Sequence, residues 1–457
     1  MRTRRFFALF FSLILIACLS LPAFAAKDDT GDWDILAKAA LLIDPETEEI
    51  LYARNIHERL YPASLTKIMT TAMVLDAVEK GKLSMDTVLT ASESALSGLP
   101  ADGSNAGIKV GEEMTVEDLL YCTMLVSANE ACNILGEAVS GSVEAFVADM
   151  NTRATLIGCS DTKFANTNGL TDPNHYTTAW DIYLITRYAR TYDDFMPLCN
   201  TVHREIPATN LSGVRNYYTT NHLLSNWRAT GYLYSGAEGI KTGSTSDAGY
   251  CLVSSATRGG RSLISIVLGA ERITLEDGSR RIESFTETAK LFDWGFDNFS
   301  RQVVLSTKEL IDEVPVTLSQ EADTVRVHPA EEIERLVPND IDVDKDIEKE
   351  WTFTAESFEA PVQRGQVMGQ ITVSYDGTVY GTVDLLADDD ISASKLLVFQ
   401  RDLQLFFQQP KVKLAIVAAI VLILLIIILI ATRGSRRRHY GHGYSGSRRG
   451  GYRGRRR

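Results

Sequence analysis

The sequence predicts an α/β protein, an antiparallel sheet packed with helices, followed by a small β-rich domain and one C-terminal transmembrane helix. Three observations predict it. Helical patterns over residues 65–78, 119–126 and 131–139 are enclosed by strand patterns at 40–43 and 50–53 before them and 249–255 and 262–269 after them. From about residue 299 the chain changes to short alternating strands, and residues 414–431 form 18 consecutive apolar positions without a charge. Helices bracketed by antiparallel strands imply an α/β sandwich rather than a doubly wound parallel sheet.

The elements follow in order. Residues 1–25 read as a secretory signal: Arg2, Arg4 and Arg5 precede an apolar stretch, and Ala23-Phe24-Ala25 offers a small-x-small cleavage site. A lipoprotein-type box at Leu15-Ile16-Ala17-Cys18 is the rival reading, but the apolar stretch continues past Cys18. Residues 40–43 and 50–53 flank Asp44-Pro45-Glu46-Thr47, the composition of a hairpin turn. Pro62 and Ser64 open the first helix, and Thr115-Val116-Glu117-Asp118 fits a capping box before the second. Gly259-Gly260 supplies the turn between the last two strands of this part.

The β-rich domain, residues 299–390, has alternating strands such as 324–327, 371–375 and 379–383, with Gly377 in the turn joining the last two. Order along the chain suits a spacer between the first domain and a membrane. Residues 391–411 include an amphipathic aromatic segment of the kind that lies at a membrane interface. At about 1.5 Å per residue the following apolar run spans about 27 Å, close to a hydrocarbon core. The transmembrane helix is set at 412–432 and the basic tail at 433–457, where Arg433, Arg436, Arg437 and Arg438 place the C-terminus in the cytoplasm. Signal and stop-transfer run agree in putting the body outside the cell.

The formal net charge of −13 is unevenly spread. The first 26 residues hold three arginines and the last 25 hold ten, with no acid in either, so the body between them carries about −26. Such a body disfavours nucleic acid as a partner, because phosphate binding needs clustered cations. Histidines lack metal-ligand spacing, so no metal site is expected. Apart from Cys18, the cysteines (Cys122, Cys132, Cys159, Cys199, Cys251) sit in apolar stretches and read as buried thiols, with one disulfide open.

Three S-x-x-K tetrads occur, at Ser64–Lys67, Ser160–Lys163 and Ser392–Lys395. Only the first opens a predicted helix, where positions i and i+3 share a face and an amine can reach a serine hydroxyl, the requirement for an activated nucleophile. Ser127-Ala128-Asn129 falls between two predicted helices, and Lys241-Thr242-Gly243-Ser244 precedes the strand at 249. The ordered set S-x-x-K, S-x-N, K-T-G, with separations of 63 and 114 residues, is the signature of penicillin-interacting serine enzymes.

At these residues the chain resembles the low-molecular-mass penicillin-binding proteins, serine-type D-Ala-D-Ala carboxypeptidases. The resemblance runs from about Asp32 to Phe407. It takes in Tyr61-Pro-Ala-Ser64-Leu-Thr-Lys67, Phe164-Ala-Asn166-Thr-Asn168-Gly169-Leu170 with His175 to Asp181, Lys241-Thr242-Gly243 with Ala248-Gly249-Tyr250, and Ala360-Pro361-Val362 with Gly365 and Gly369. It implies a β-lactamase/transpeptidase-like fold in a catalytic domain over residues 32–298, and an acyl-enzyme route on peptidoglycan stem peptides that β-lactam antibiotics intercept. Ser64 would be the nucleophile, Lys67 its base and Ser127 a proton relay. Asn129, Lys241, Thr242, Gly243 and Ser244 would bind substrate, with the N–H groups of Ser64 and Ser244 as oxyanion hole and no cofactor required. Asn168, His175 and Asp181 are explained as well by loop-shaping hydrogen bonds as by chemistry. Thr220 stands where some relatives carry an arginine before Asn221-His222-Leu223-Leu224, which leaves the cation for a substrate carboxylate open beyond Lys241. D,D-endopeptidase or transpeptidase action, a β-lactamase and a noncatalytic wall-binding module are the alternatives. No deacylating acid is identifiable for a β-lactamase, and a dead module would be expected to have lost one of the three motifs.

Overall fold

The computed structural model describes residues 35–436; the predicted signal and the tail beyond Arg436 lie outside the described residues. Contacts divide the chain into two units. One comprises residues up to Val303 together with Glu334–Asp346, the other Val304–Ile333 and the chain from Ile347.

In the first unit, β1 (Ala39–Ile43) and β2 (Ile50–Arg54) form the hairpin. β3 (Ala237–Thr245), β4 (Gly249–Arg258) and β5 (Arg261–Ala270) complete an antiparallel sheet of order β2-β1-β5-β4-β3. Lys241-Thr242-Gly243 precedes the strand at Gly249 as expected and also lies inside a strand of its own, which is a sheet edge. Side chains alternate across a strand, and here both faces are covered. Leu41 and Ile43 of β1, with Ile264, Ile266 and Leu268 of β5, join one apolar cluster, while Leu42, Leu263 and Val267 join another. This two-sided burial is why these strands read as nearly unbroken apolar runs. Gly259 and Gly260, both at positive φ, make the tight β4–β5 turn.

The helical layer on the first face holds α1 (Lys67–Glu79), α2 (Val116–Leu125), α3 (Asn129–Ser140), α4 (Val143–Leu156) and α5 (Ala179–Ala189). α2 starts where the Thr115 side chain accepts the Asp118 N–H, α4 where Ser142 accepts that of Ala145, and α5 where Thr178 accepts that of Asp181. α3 ends at Gly141 in the left-handed conformation, the usual stop. On the opposite face lies α6 (Glu283–Asn298), whose Leu291, Phe292 and Phe296 pack on Leu42, Leu263 and Val267.

The second unit is built on a six-stranded sheet, antiparallel except where Val316-Thr317 pairs parallel with Phe358-Glu359. Val314 and Val316, Val325 and Val327, and Ile371 and Val373 are buried at alternate positions of their strands. Asp376-Gly377, both at positive φ, close its hairpin as a type I′ turn requires. Two helices follow, α7 (Lys395–Gln408) and α8 (Pro410–Arg436). Leu396, Phe399, Leu403 and Phe407 are exposed at helical spacing along α7. Pro410 begins α8 just after α7 ends, separating the two helices at a first helical position where its missing N–H costs nothing.

α6 meets the sheet at Gly295, where a β-carbon would lie 2.6 Å from Leu42 Cδ2 and 2.8 Å from Leu263 Cδ1. Gly295→Leu is therefore expected to lower stability by about 1–3 kcal/mol through overpacking. Thermal unfolding followed by near-UV circular dichroism checks it, and an unchanged midpoint would contradict this packing.

Candidate active site

Ser64 sits in the 3₁₀ turn Ala63–Thr66 that runs directly into α1, so Lys67 is the first α-helical residue and lies one turn beyond the serine. The Lys67 ammonium reaches three oxygens: Ser64 Oγ at 2.9 Å, Asn129 Oδ1 at 2.8 Å and the Asn168 carbonyl at 2.6 Å. Ser127 is held in the left-handed conformation, φ 61°, between α2 and α3. That backbone is rare for a residue with a β-carbon and is found where structure over-determines it. Its hydroxyl accepts from Lys241 Nζ at 3.1 Å, and Lys241 Nζ also donates to the Thr242 carbonyl at 2.9 Å. The structure thus brings all three motifs to one groove as two serine–lysine pairs, Ser64 with Lys67 and Ser127 with Lys241.

Glycines make this closeness possible. A β-carbon on Gly243 would stand 3.0 Å from the Ser64 nitrogen and 3.1 Å from the Pro62 carbonyl. One on Gly169, at φ +94°, would fall 1.8 Å from the Ala63 carbonyl oxygen. The Ser64 backbone is clasped between two segments that can approach only because they lack side chains. Ala63 itself has positive φ, so the turn presenting Ser64 is strained.

Both lysines are buried, with relative exposure of 0% for Lys67 and 1% for Lys241. Removing an ammonium from water disfavours its charged form. Burial brings Lys67 down to about 8, and burial, followed by the charge of Lys67, brings Lys241 down to about 7. The like-charge effect thus falls on Lys241. At neutral pH a dry groove with two amines favours fewer than two protons.

Around these groups lies a cleft of about 230 Å³ lined by Ser64, Ser127, Thr220, Arg228, Thr242 and Ser244 among others, with no carboxylate in its wall. Thr220 and Thr242 hydroxyls hydrogen-bond at 2.6 Å. Arg228 is exposed, its side chain donating to the Tyr218 carbonyl at 3.3 Å. Of the predicted residues, Ser64, Ser127, Thr242, Gly243 and Ser244 line the cleft, while Lys67 and Lys241 stand behind it bonded to Ser64 and Ser127, and the Asn129 side chain holds Lys67.

His175 and Asp181 serve the loops. The His175 Nδ1 accepts the Ala165 N–H at 3.1 Å, so its Nε2 carries the proton toward Thr66 Oγ1 at 2.8 Å, and Thr66 Oγ1 donates to the Ala63 carbonyl. Burial pushes the imidazole down to about 4, keeping it neutral. Asp181 accepts from the Ser160 and Asp161 nitrogens and the Thr162 hydroxyl. The Asn168 side chain holds the Leu170 N–H, and its carbonyl is what meets Lys67. Ser160 bonds Asp161 and the Ser392 nitrogen bonds Glu321, so neither of the other two tetrads joins the groove. The five described cysteines are unpaired, four of them buried.

A hydroxyl in contact with a buried amine, backed by a second such pair, is the arrangement an activated serine nucleophile needs. The chain belongs to the D-alanyl-D-alanine carboxypeptidase family, whose profile matches residues 23–272, and residues 299–393 match the C-terminal domain of penicillin-binding protein 5. It is 30% identical over 388 residues to D-alanyl-D-alanine carboxypeptidase DacF of Bacillus subtilis, covering 84% of this chain and 94% of that one. It is 32% identical to DacC of Escherichia coli over 358 residues, 78% and 84% of the two chains. The crystal structure of penicillin binding protein 5 from Haemophilus influenzae superposes with a TM-score of 0.58 at 29% identity, covering 79% of this chain and 98% of that one.

A base acts only when neutral, so the acylation rate should fall about tenfold per pH unit below about 8, where Lys67 takes up its proton. Lys67→Arg, which cannot deprotonate, should lose at least about 10²-fold in acylation at every pH. Stopped-flow acylation across pH 6–10 measures both, and a flat profile would remove Lys67 from the role of base.

Proposed function

We propose that this protein removes the terminal D-Ala from peptidoglycan stem peptides through a Ser64 acyl-enzyme, and that penicillin acylates the same serine. The observation that carries the reading is the pair of serine–lysine contacts meeting in one cleft. Neutral Lys67 takes the Ser64 proton as Oγ attacks the carbonyl of the penultimate D-Ala. The Ser64 and Ser244 N–H groups stabilise the oxyanion, a contribution of roughly 3–4 kcal/mol per donor in such sites. The Ser127 hydroxyl passes a proton to the departing amine, and Lys241 sustains that relay. Asn129 keeps Lys67 aimed. Water then hydrolyses the ester.

The terminal carboxylate of the substrate falls to Thr242 and Arg228. Lys241 is occupied by Ser127 and the Thr242 carbonyl, whereas Arg228 stands in an acid-free wall beside the Thr220–Thr242 hydroxyl pair. Arg228 thus supplies the cation from a loop, eight residues beyond Thr220, the position where some relatives carry it.

The chain is anchored by α8, of which Pro410–Thr432 is long and apolar enough to cross a membrane, with α7 lying along the interface. The arginines from Arg433 onward support a cytoplasmic C-terminus with the catalytic unit outside the cell.

Mass spectrometry of the protein after exposure to penicillin should show one adduct, on Ser64. Ser64→Ala should lose both the adduct and D-Ala release from a diacyl tripeptide, and a persisting adduct would overturn the assignment. Arg228→Gln should raise KM for that peptide roughly tenfold with a smaller change in kcat, as loss of one charge-assisted contact does. Ending the chain at Gln409 should shift the protein from the membrane pellet toward the soluble fraction.

A further inference from the structure

Two segments converge on the first serine–lysine pair. One is the turn Ala63–Thr66 that presents Ser64, and the other is residues 164–170, whose Asn168 carbonyl takes the Lys67 ammonium at 2.6 Å. A side chain bonded to neither Ser64 nor Lys67 ties the two together. His175, 1% exposed, accepts the Ala165 N–H at Nδ1, 3.1 Å away, and meets Thr66 Oγ1 at Nε2, 2.8 Å away. A neutral imidazole has one donor and one acceptor. A backbone N–H can only donate, so Nδ1 is the acceptor and Nε2–H the donor. Thr66 in turn spends its own proton on the Ala63 carbonyl at 2.9 Å. Every bond of this relay therefore has one direction, and it ends on the residue before Ser64.

The ring itself is fixed. Tyr176 exchanges backbone bonds of 2.9 and 3.0 Å with Lys163, and Thr177 exchanges bonds of 2.9 and 2.8 Å with Leu60. The imidazole also packs edge-on against Phe164, with centroids 5.7 Å apart and planes at 73°. What it steadies is not at rest by itself. Ala63 holds φ 46°, a backbone that a residue with a β-carbon keeps only when its surroundings leave no alternative. Resting on the reading of Ser64 as nucleophile and Lys67 as base, we propose that His175 is a positioning residue for acylation. Through Thr66 it locks the turn that presents Ser64, and through Ala165 it locks the loop that offers Lys67 a carbonyl. Ser64 Oγ and Lys67 Nζ, 2.9 Å apart, are thereby kept at transfer distance. Burial keeps the ring neutral, as the relay requires, while the nearest charges, Asp172 of its own loop and Lys67 of α1, act on it in opposite directions.

The test uses the full-length protein in detergent and stopped-flow acylation by a fluorescent penicillin, which separates the noncovalent binding constant from the acylation rate constant. His175→Gln keeps a donor at the Nε2 position, His175→Asn keeps only an acceptor at the Nδ1 position, and Thr66→Val removes the hydroxyl between ring and turn. The rate constant should fall roughly thirtyfold in His175→Asn and Thr66→Val but only about threefold in His175→Gln. Binding should stay within about twofold throughout, because the relay aims the serine and holds no ligand. The double variant His175→Asn with Thr66→Val should be little slower than either alone, as two links of one chain are. Both histidine variants lose one buried bond, so their thermal midpoints should drop alike while their rates differ. Equal acylation rates in His175→Gln and His175→Asn, additive losses in the double variant, or a loss confined to binding would each overturn the positioning role. Should His175→Asn fail to fold, Thr66→Val alone carries the same expectation of lost rate at unchanged binding. Mass spectrometry keeps the two readings apart: an adduct on another residue of the parent protein would overturn Ser64 as nucleophile, whereas Ser64 adducts forming at the parental rate in every variant would overturn only His175.

Discussion

Two ammonium groups walled off from water are the constraint around which this structure is arranged. Desolvating an amine is costly unless it finds acceptors or gives up its proton. Lys67 finds three oxygens and Lys241 finds two, enough to hold each in one place but not to keep both fully charged. The same burial that costs folding energy lowers both amines toward neutral pH. Asn129, the Asn168 carbonyl and the Thr242 carbonyl are best understood as the acceptors that make this burial tolerable.

Two of the six described non-glycine residues at positive φ lie at the same place. Ala63 and Ser127, both at positive φ without being glycine, lie respectively beside the nucleophile and within the second serine–lysine pair. Each conformation costs of order 1–3 kcal/mol and survives because its neighbours leave no alternative. For Ala63 those neighbours include the Thr66 hydroxyl on its carbonyl, itself aligned by neutral His175, and Gly169 pressed against it. His175 therefore acts on the turn presenting Ser64 through the Thr66 hydroxyl, without touching the reacting atoms.

What was legible in the sequence was local. The first hairpin, α1, α2, α3, β4 and β5 follow from periodicity and caps, and Ser64–Lys67 is readable because three residues make nearly one turn. β3 was not legible. Its sequence, Ala-Glu-Gly-Ile-Lys-Thr-Gly-Ser-Thr, has the composition of a loop, and pairing with β4 overrides that preference. α4 and α5 were likewise hidden, in a stretch without clean periodicity. In the groove, the ordered motifs named the side chains but could not name a carbonyl such as that of Asn168, since every residue has one. Nor could they place Arg228, whose role rests on where a loop returns to the cleft.

The residues of the groove come from the 3₁₀ turn and start of α1, the α2–α3 junction and β3, so no single layer of the catalytic unit contains it. Gly169 and Gly243 permit contacts that exist only while the helices and the sheet edge are seated on each other. A covalent penicillin adduct is accordingly a molecular census. It counts the chains in which both layers are docked, and any partial opening that separates them silences the enzyme well before the rest of the molecule has come apart.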